Sequence, residues 1–424
     1  MAMGQTIGAG IITNTGIAIG LSGSGVLIAY LMAFFIMYVS NLPNMLFATV
    51  LPVASPAYVA TSYLNKKVAG FWLYCQILAA LAQAYMGAAF GTYLASIYPV
   101  NPNLAACAVV TIFFLVNLFT LKRSAKVQNI TTAVLLLTLL SFVLLGIPKI
   151  NAAEMFQKQN LLYGGWLGIF NACALVLFGV GGCSLLANFG PQMEEPHKNI
   201  PLMTTVTFAC SFLAFGLVAF VGAGVAPIAE VAGKPMTYQA ELIYPGNTFL
   251  LFVIGGALLA IITTINSNYA RYWSTIIRGV DEGWLPRIFG RRNKNGIPWV
   301  LLTLFWLMAL IPNLFGLNIG QLSSLAAAVT LLPMLIPMWG FVLLPEHAPE
   351  QWKQAGWIVK VFCSRGRRIA FSLFCTVLLG IFIVLNVMSF TKMTAVLCAL
   401  YLGFALLIAF GFGKRILERR KAVQ

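Results

Sequence analysis

The chain has 424 residues, of which 60% are hydrophobic and 8% charged, with a formal net charge of +16. Soluble domains carry about 25% charged residues, so the composition excludes an ordinary soluble globular protein. The positive balance is no nucleic-acid footprint, because all ten acids and nearly all 26 bases fall in gaps between apolar segments.

A membrane span takes about 20 mostly apolar residues to cross about 30 Å of hydrocarbon. The sequence predicts twelve such segments, at 2–20, 24–46, 70–97, 104–121, 130–148, 165–187, 202–226, 248–276, 298–315, 320–344, 369–389 and 393–412. They would occupy about 240–260 residues, which leaves short loops and no room for a soluble domain. With both termini cytoplasmic, 22 of the 26 bases face the cytoplasm, and only Lys149, Lys158, Lys234 and Lys392 face outward. Positive charge retained on the cytoplasmic side is the usual orientation signal. One miscounted segment would invert every later gap and destroy the separation.

Segment one opens on Gly4-Gln5-Thr6-Ile7-Gly8-Ala9-Gly10-Ile11. A backbone group freed within hydrocarbon must be buried in protein or line a wet cavity, so a glycine-rich break at mid-membrane points to a site. Its alternative reading is close helix packing. Segment three carries Gln76 and Gln83, seven apart and hence on one helical face, with Tyr85 beside them. These amides either touch a solute or link helices. Segment six holds a second break, Phe178-Gly179-Val180-Gly181-Gly182. Unwound helices offer amides and a positive dipole end to a carboxylate, and carbonyls to an ammonium or a cation. Segment eight contains Thr263, Thr264, Asn266, Ser267 and Asn268. Thr263, Thr264 and Ser267 are candidate sodium ligands, although hydroxyls in membrane helices commonly bond back to their own backbone. Trp339 in segment ten and Phe178 at the break would cap an apolar pocket. Trp72, Trp166, Trp299 and Trp352 fall near segment edges, where an aromatic belt would sit. The eight cysteines form no CxxC pair and the chain has two histidines, so no metal site is expected; nor does it contain a P-loop, GxSxG or HExxH motif. No enzyme is expected.

The chain resembles the amino acid–polyamine–organocation transporters along nearly its whole length. Three stretches carry the resemblance. Ile7-Gly8-Ala9-Gly10-Ile11 is similar to the family's first-helix glycine motif. Asn171 precedes Gly179 by eight residues, and Glu195-Pro196-His197-Lys198-Asn199-Ile200-Pro201 follows the sixth segment, like the family's loop there. The stretch Arg278-Gly279-Val280-Asp281-Glu282-Gly283-Trp284-Leu285-Pro286-Arg287-Ile288-Phe289, continued by Asn295-Gly296-Ile297-Pro298, resembles the family's loop between helices 8 and 9 and is the most specific of the three. Ser55-Pro56 is a weaker echo of its serine- and glycine-rich loop.

The resemblance implies an all-α membrane protein of about twelve helices, with a five-plus-five inverted-repeat core whose helices 1 and 6 are discontinuous. The repeats would span 1–148 and 165–344, followed by two further helices at 369–412 and a basic cytoplasmic tail at 413–424. It implies a secondary transporter of small amino acids or related amines in the plasma membrane, working by alternating access. A solute carboxylate would meet Ile7, Gly8, Ala9 and Gly10, and its ammonium the carbonyls near Phe178, Gly179 and Val180. Leu175, Phe178, Gln83 and Trp339 would shape the side-chain pocket. A homodimer is among the assemblies that relatives form, lipids surround the helices, and no nucleic acid or cofactor is implied beyond a coupling Na+ or H+. The alternative is a non-transporting sensor or complex subunit that kept the fold.

Three departures shape this expectation. Only seven residues precede Gly8, roughly 10 Å of helix, so either the start lies upstream or the first half-helix is truncated. Basic-substrate exchangers of the family carry an acid just after the sixth-helix break and an aromatic a turn before it, where this chain has Gly181 and Leu175. That argues for a neutral amino acid over agmatine, cadaverine or putrescine. No ionisable side chain lies at mid-segment, which leaves solute exchange or sodium ahead of proton coupling.

Overall fold

The computed structural model describes residues 9–53, 55–119, 124–317 and 319–413. Among them the regular structure is helical, with one isolated extended pairing between Arg292 and Pro298. The principal helices are α1 (Ala9–Ser22), α2 (Val26–Val50), α3 (Pro56–Leu64), α4 (Lys66–Ala79), α5 (Ala82–Ala95), α6 (Pro102–Phe119), α7 (Ser124–Gly146) and α8 (Gly165–Val180). They continue with α9 (Pro196–Gly224), α10 (Leu259–Asp281), α11 (Trp299–Leu314), α12 (Ile319–Leu331), α13 (Pro337–His347), α14 (Arg365–Met388) and α15 (Lys392–Leu406).

Nine helical stretches among the described residues are long and apolar enough to cross a membrane, and Gly165–Leu177 and Trp299–Leu314 are shorter apolar helices. One of the nine, Gly10–Val50, runs for 41 residues and is double. The Thr15 and Tyr30 hydroxyls lie 2.7 Å apart within it, whereas an unbroken helix would separate the two residues by about 22 Å along its axis. The chain therefore folds back between α1 and α2, and with the two shorter apolar helices the candidate spans among the described residues number twelve. The reversal sits at Gly23, where φ is +59° and a Cβ would meet the Asn160 carbonyl oxygen at 2.3 Å. Left-handed backbone costs a residue with a side chain about 1–2 kcal/mol. Gly23→Ala is thus expected to destabilise the protein by at least about 1 kcal/mol, read as a lower melting temperature in detergent; unchanged melting would show that the turn relaxes freely.

Loop contacts sort the connections into two ends. At one, the Tyr58 hydroxyl donates to Glu282 and His197 Nδ1 bonds the Thr49 carbonyl. Asn293 and Asn295 donate to the Leu118 carbonyl at 2.8 and 3.1 Å, and Arg365 pairs with Glu346 at 3.4 Å. This end gathers the base-rich connections after α2, α6, α8, α10 and α13. At the other end, Lys149 Nζ donates to the Leu242 and Ile243 carbonyls at 2.8 and 2.9 Å, and the Gly233 amide donates to the Gly16 carbonyl at 3.2 Å. The Tyr58 hydroxyl at the basic end is held above its ordinary pKa by burial and by the Glu282 carboxylate that accepts its hydrogen bond.

Several elements differ from their sequence expectation. α9 begins at Pro196, six residues before the predicted 202, so the Pro-His-Lys-Asn stretch opens a helix rather than forming a loop. Proline suits a first helical turn because its missing N–H has no partner there anyway. Segment eight opens as a π-helix over Phe252–Leu258, around the pair Gly255-Gly256. Segment ten is interrupted by a 3-10 turn at Leu332–Met334, which contains Pro333 and is followed by a new helix starting at Pro337. Trp166 and Trp299 are exposed at the edges as expected, but Trp72 and Trp352 are buried at 2% and 7% exposure. Trp72 leaves the aromatic belt because its indole N–H donates to the Pro333 carbonyl, freed by that interruption, at 2.8 Å. Trp352 packs against Phe341 and under the Arg368 guanidinium.

Helices in lipid associate through close packing and buried hydrogen bonds, since the surrounding tails are as apolar as the side chains. α1 lies along α8, and α2 along α9, where Phe34 meets Phe208, Phe212 and Phe215 edge to face at 6.4, 5.6 and 5.4 Å. These four helices bring Gly10 and Gly179 together.

Candidate functional site

Gly10 of α1 and Gly179 of α8 meet backbone to backbone. A Cβ on Gly10 would stand 2.6 Å from the Gly179 Cα, and one on Gly179 would stand 3.2 Å from the Gly10 Cα. Only glycine at both positions allows this approach. Just beyond the contact, α8 gives way at Gly181 to a twelve-residue 3-10 stretch ending at Gln192. Runs of 3-10 helix seldom exceed 3–4 residues and their hydrogen bonds are poorer, so the chain here is effectively unwound.

A cavity of about 170 Å³ starts at this junction. Gly10, Gly179, Gly181 and Gly182 form its head; Ser40, Asn41 and Asn44 of α2, Gln76 of α4, and Thr264, Asn268 and Tyr272 of α10 line its walls. Thr330, Pro333, Met334 and Pro337 from the interrupted tenth segment close the remaining side. It extends past Ser55, Asn188 and Thr275 toward the basic end. Among the described lining residues none is ionisable at neutral pH, so the cavity binds with neutral dipoles. On the opposite side the path is shut by fully packed side chains: the Tyr93 hydroxyl donates to the Ile12 carbonyl at 2.7 Å and accepts from the Met236 amide at 3.3 Å.

Above the glycine contact lies a buried hydrogen-bond hub. Asn14, one turn after Gly10 and fully buried, accepts from the Tyr85 hydroxyl and from Ser323 Oγ at 3.4 Å. Its amide nitrogen donates to the Leu175 carbonyl at 3.4 Å. One side chain thereby ties α1 to α5, α8 and α12.

The sequence-predicted residues occupy distinct places. Ile7 and Gly8 lie outside the described residues, Ala9 is the first residue of α1, and Gly10 and Gly179 line the cavity. Leu175 and Val180 are buried in α8 and neither is on the cavity wall, and Phe178 belongs to the same helix. Gln83 is fully buried, with Nε2 donating to the Ile265 carbonyl at 2.9 Å and Oε1 accepting from Asn268 at 3.1 Å; it links α5 to α10. Trp339 is half-buried in α13, away from the lining. Thr263 and Thr264 donate to the Ala260 carbonyl at 3.0 and 2.8 Å, and Ser267 to Thr264 at 3.1 Å; of these only Thr264 lines the cavity. The sequence reading missed Asn14, the α2 group and Thr330. The signal for the second was present: Ser40-Asn41-Leu42-Pro43-Asn44 is a polar cluster around a proline within an apolar segment.

Comparison with known proteins settles the family. The family described as amino acid permease matches residues 1–411. The chain belongs to the amino acid permeases. They are transporters of the amino acid–polyamine–organocation superfamily rather than enzymes, and this permease is a multi-pass membrane protein that takes amino acids as its substrates. Its relatives include the aromatic amino acid transport protein AroP of Salmonella typhimurium, 23% identical over 70% of this chain and 68% of that protein. The branched-chain amino acid permease BcaP of Bacillus subtilis is 23% identical over 82% and 80%. The lysine-specific permease LysP of Lactococcus lactis is 23% identical over 78% and 71%. Three equally distant relatives named for three unlike side chains do not choose a substrate for this permease. Its own cavity has to.

Proposed function

We propose that this permease is a secondary carrier that moves small neutral amino acids, or closely related amines, across the plasma membrane by alternating access. The observation that carries the proposal is the junction of Gly10 with Gly179 at the head of a cavity whose described lining has no charged side chain. Backbone amides and carbonyls at an unwound helix pair suit a zwitterion's two ends, and no counter-charge awaits a dication. Packing around Tyr93 on one side and a cavity extending to the basic end on the other correspond to an inward-facing state. In that reading both termini and the basic loops are cytoplasmic, in keeping with the distribution of lysine and arginine. Uphill movement would draw on an exchanged solute, or on Na+ or H+.

The test is counterflow in proteoliposomes loaded with single unlabelled amino acids and challenged with labelled ones, with and without sodium and at two pH values. The expected result is accumulation driven by an internal neutral amino acid. Dependence on sodium or a proton gradient would identify a symporter and direct attention to α10. Silence across the panel, with folded protein, would favour a sensor that retained the fold.

A further inference from the structure

Ser40, Asn41 and Asn44 recur at one- and three-residue steps on α2, so they share one face of the helix. That face looks at the sixth-segment break: Met37, one turn before Asn41, places its methyl 3.8 Å from where a Cβ of Gly181 would stand. Ser40 and Asn41 are 1% and 2% exposed, yet Ser40 Oγ and Asn41 Oδ1 have no hydrogen-bond partner. Across the cavity from this face, Thr330 Oγ1 is likewise buried and unpartnered, as is Asn44 Oδ1. All four residues line the cavity.

Ser24 Oγ, Ser211 Oγ and three other buried polar atoms among the described residues also lack a partner, but singly and off the cavity, whereas most hydroxyls in these helices bond back to their own backbone. Ser22, Thr49, Thr61, Thr264 and Thr376 each donate to the carbonyl four residues earlier, at 2.7 to 2.8 Å. Ser40 and Thr330 sit in helices with the same option and do not take it. Buried polar groups are ordinarily paired, and an unmade bond is expensive, so four that converge on one cavity mark a place where something else supplies the partners.

We infer that Ser40, Asn41, Asn44 and Thr330 form a subsite for an uncharged hydrogen-bonding side chain, a carboxamide or a hydroxyl, on the amino acid carried. This rests on the proposed transport of neutral amino acids and specifies which of them. The chemistry is complementary at both ends of a carboxamide: two amide oxygens accept its N–H groups, and two hydroxyls donate to its C=O. A hydroxyl side chain uses one donor and one acceptor of the same set. An aliphatic side chain would leave all four groups unpaired, and a site built to bond a polar group rejects the isostere that lacks it. A cationic side chain would find no counter-charge.

Threonine and valine differ by a hydroxyl for a methyl, which makes the pair the sharpest probe. In proteoliposomes the full chain should take up threonine, and glutamine over leucine, with a preference of about tenfold or more over the aliphatic partner. Thr330→Val and Ser40→Ala should each remove most of that preference, read as the ratio of threonine to valine uptake within each variant. Both variants are near-isosteric, and a monodisperse peak in size-exclusion chromatography confirms folding before transport is read. Equal uptake of threonine and valine by the unmodified protein, or variants that lower all amino acids alike, would overturn the subsite while leaving the carrier reading intact. Failure of the unmodified protein to move any amino acid would overturn both.

Discussion

Gly10→Val is expected to abolish uptake, while Gly181→Ala is expected to leave the fold intact and uptake measurable. The first substitution drives a branched side chain into backbone: even its Cβ would lie 2.6 Å from the Gly179 Cα, a distance real Cβ contacts do not show. The obstructing atom cannot swing aside as a flexible side chain would, so α1 and α8 must separate. Overpacking a tight contact costs about 1–3 kcal/mol, and here the displaced atoms are those proposed to hold the solute. A Cβ on Gly181, by contrast, meets only the Met37 methyl at 3.8 Å. The order expected for alanine substitutions is Gly10 worse than Gly179, whose Cβ has 3.2 Å, and Gly179 worse than Gly181. Initial rates of exchange, normalised to folded protein, read that order. Undiminished exchange in Gly10→Val would remove the glycine junction from the mechanism, and Gly8→Leu, expected from the sequence to behave likewise, is the companion test.

The second large effect is at Asn14. Asn14→Leu leaves the Tyr85 hydroxyl, the Ser323 hydroxyl and the Leu175 carbonyl without their shared partner in a region with no exposure. A buried polar group stripped of its partner costs about 1–3 kcal/mol, so the variant should lose about 3 kcal/mol or more and melt well below the unmodified permease. Tyr85→Phe deletes the bond to Asn14 together with the hydroxyl's further contacts to Thr13 and Ser323 and should cost about 1–3 kcal/mol. The two losses should not add in the double variant, because the Tyr85 bond is already gone once Asn14 is replaced. Additive losses measured by thermal unfolding would show that the hub does not act as a unit. The loss also reaches function, since the same side chain fixes α1 against α8 one turn above the glycine junction.

The architecture was largely legible in the residues. Apolar runs of span length and the placement of lysine and arginine predict twelve segments, and the contacts among Tyr58, Glu282, Thr49, His197, Asn293 and Arg365 gather the basic loops at one end. The break in segment six was legible because a glycine-rich run at mid-span has few uses, whereas most of the first run, residues 4–8, lies outside the described residues. What escaped were features set by tertiary geometry. Gln76 and Gln83 share a face in an uninterrupted helix, but the chain is broken at Ala80-Leu81 between α4 and α5. Gln76 therefore lines the cavity while Gln83 is consumed by Ile265 and Asn268. Asn14 reads as one more small polar residue in a span; its importance comes from three helices converging on it. The Ser40-Asn41-Asn44 group was hidden because a hydroxyl or amide in a span normally bonds its own helix, and only the coordinates reveal which ones decline. The turn at Leu332–Met334 was marked by Pro333 and Pro337, a signal the apolar character of segment ten obscured.

The most direct test of the central claim, that the transported amino acid occupies the cavity below the Gly10–Gly179 junction, is substrate protection of a cysteine placed on its wall. Asn44→Cys puts a thiol among the lining residues of α2. A small hydrophilic thiol reagent should modify it, and the amino acid that the permease exchanges should slow that reaction at least tenfold at saturation, whereas amino acids it does not carry should leave the rate unchanged. Modification at the same rate with and without the exchanged amino acid would place the solute elsewhere and contradict the account.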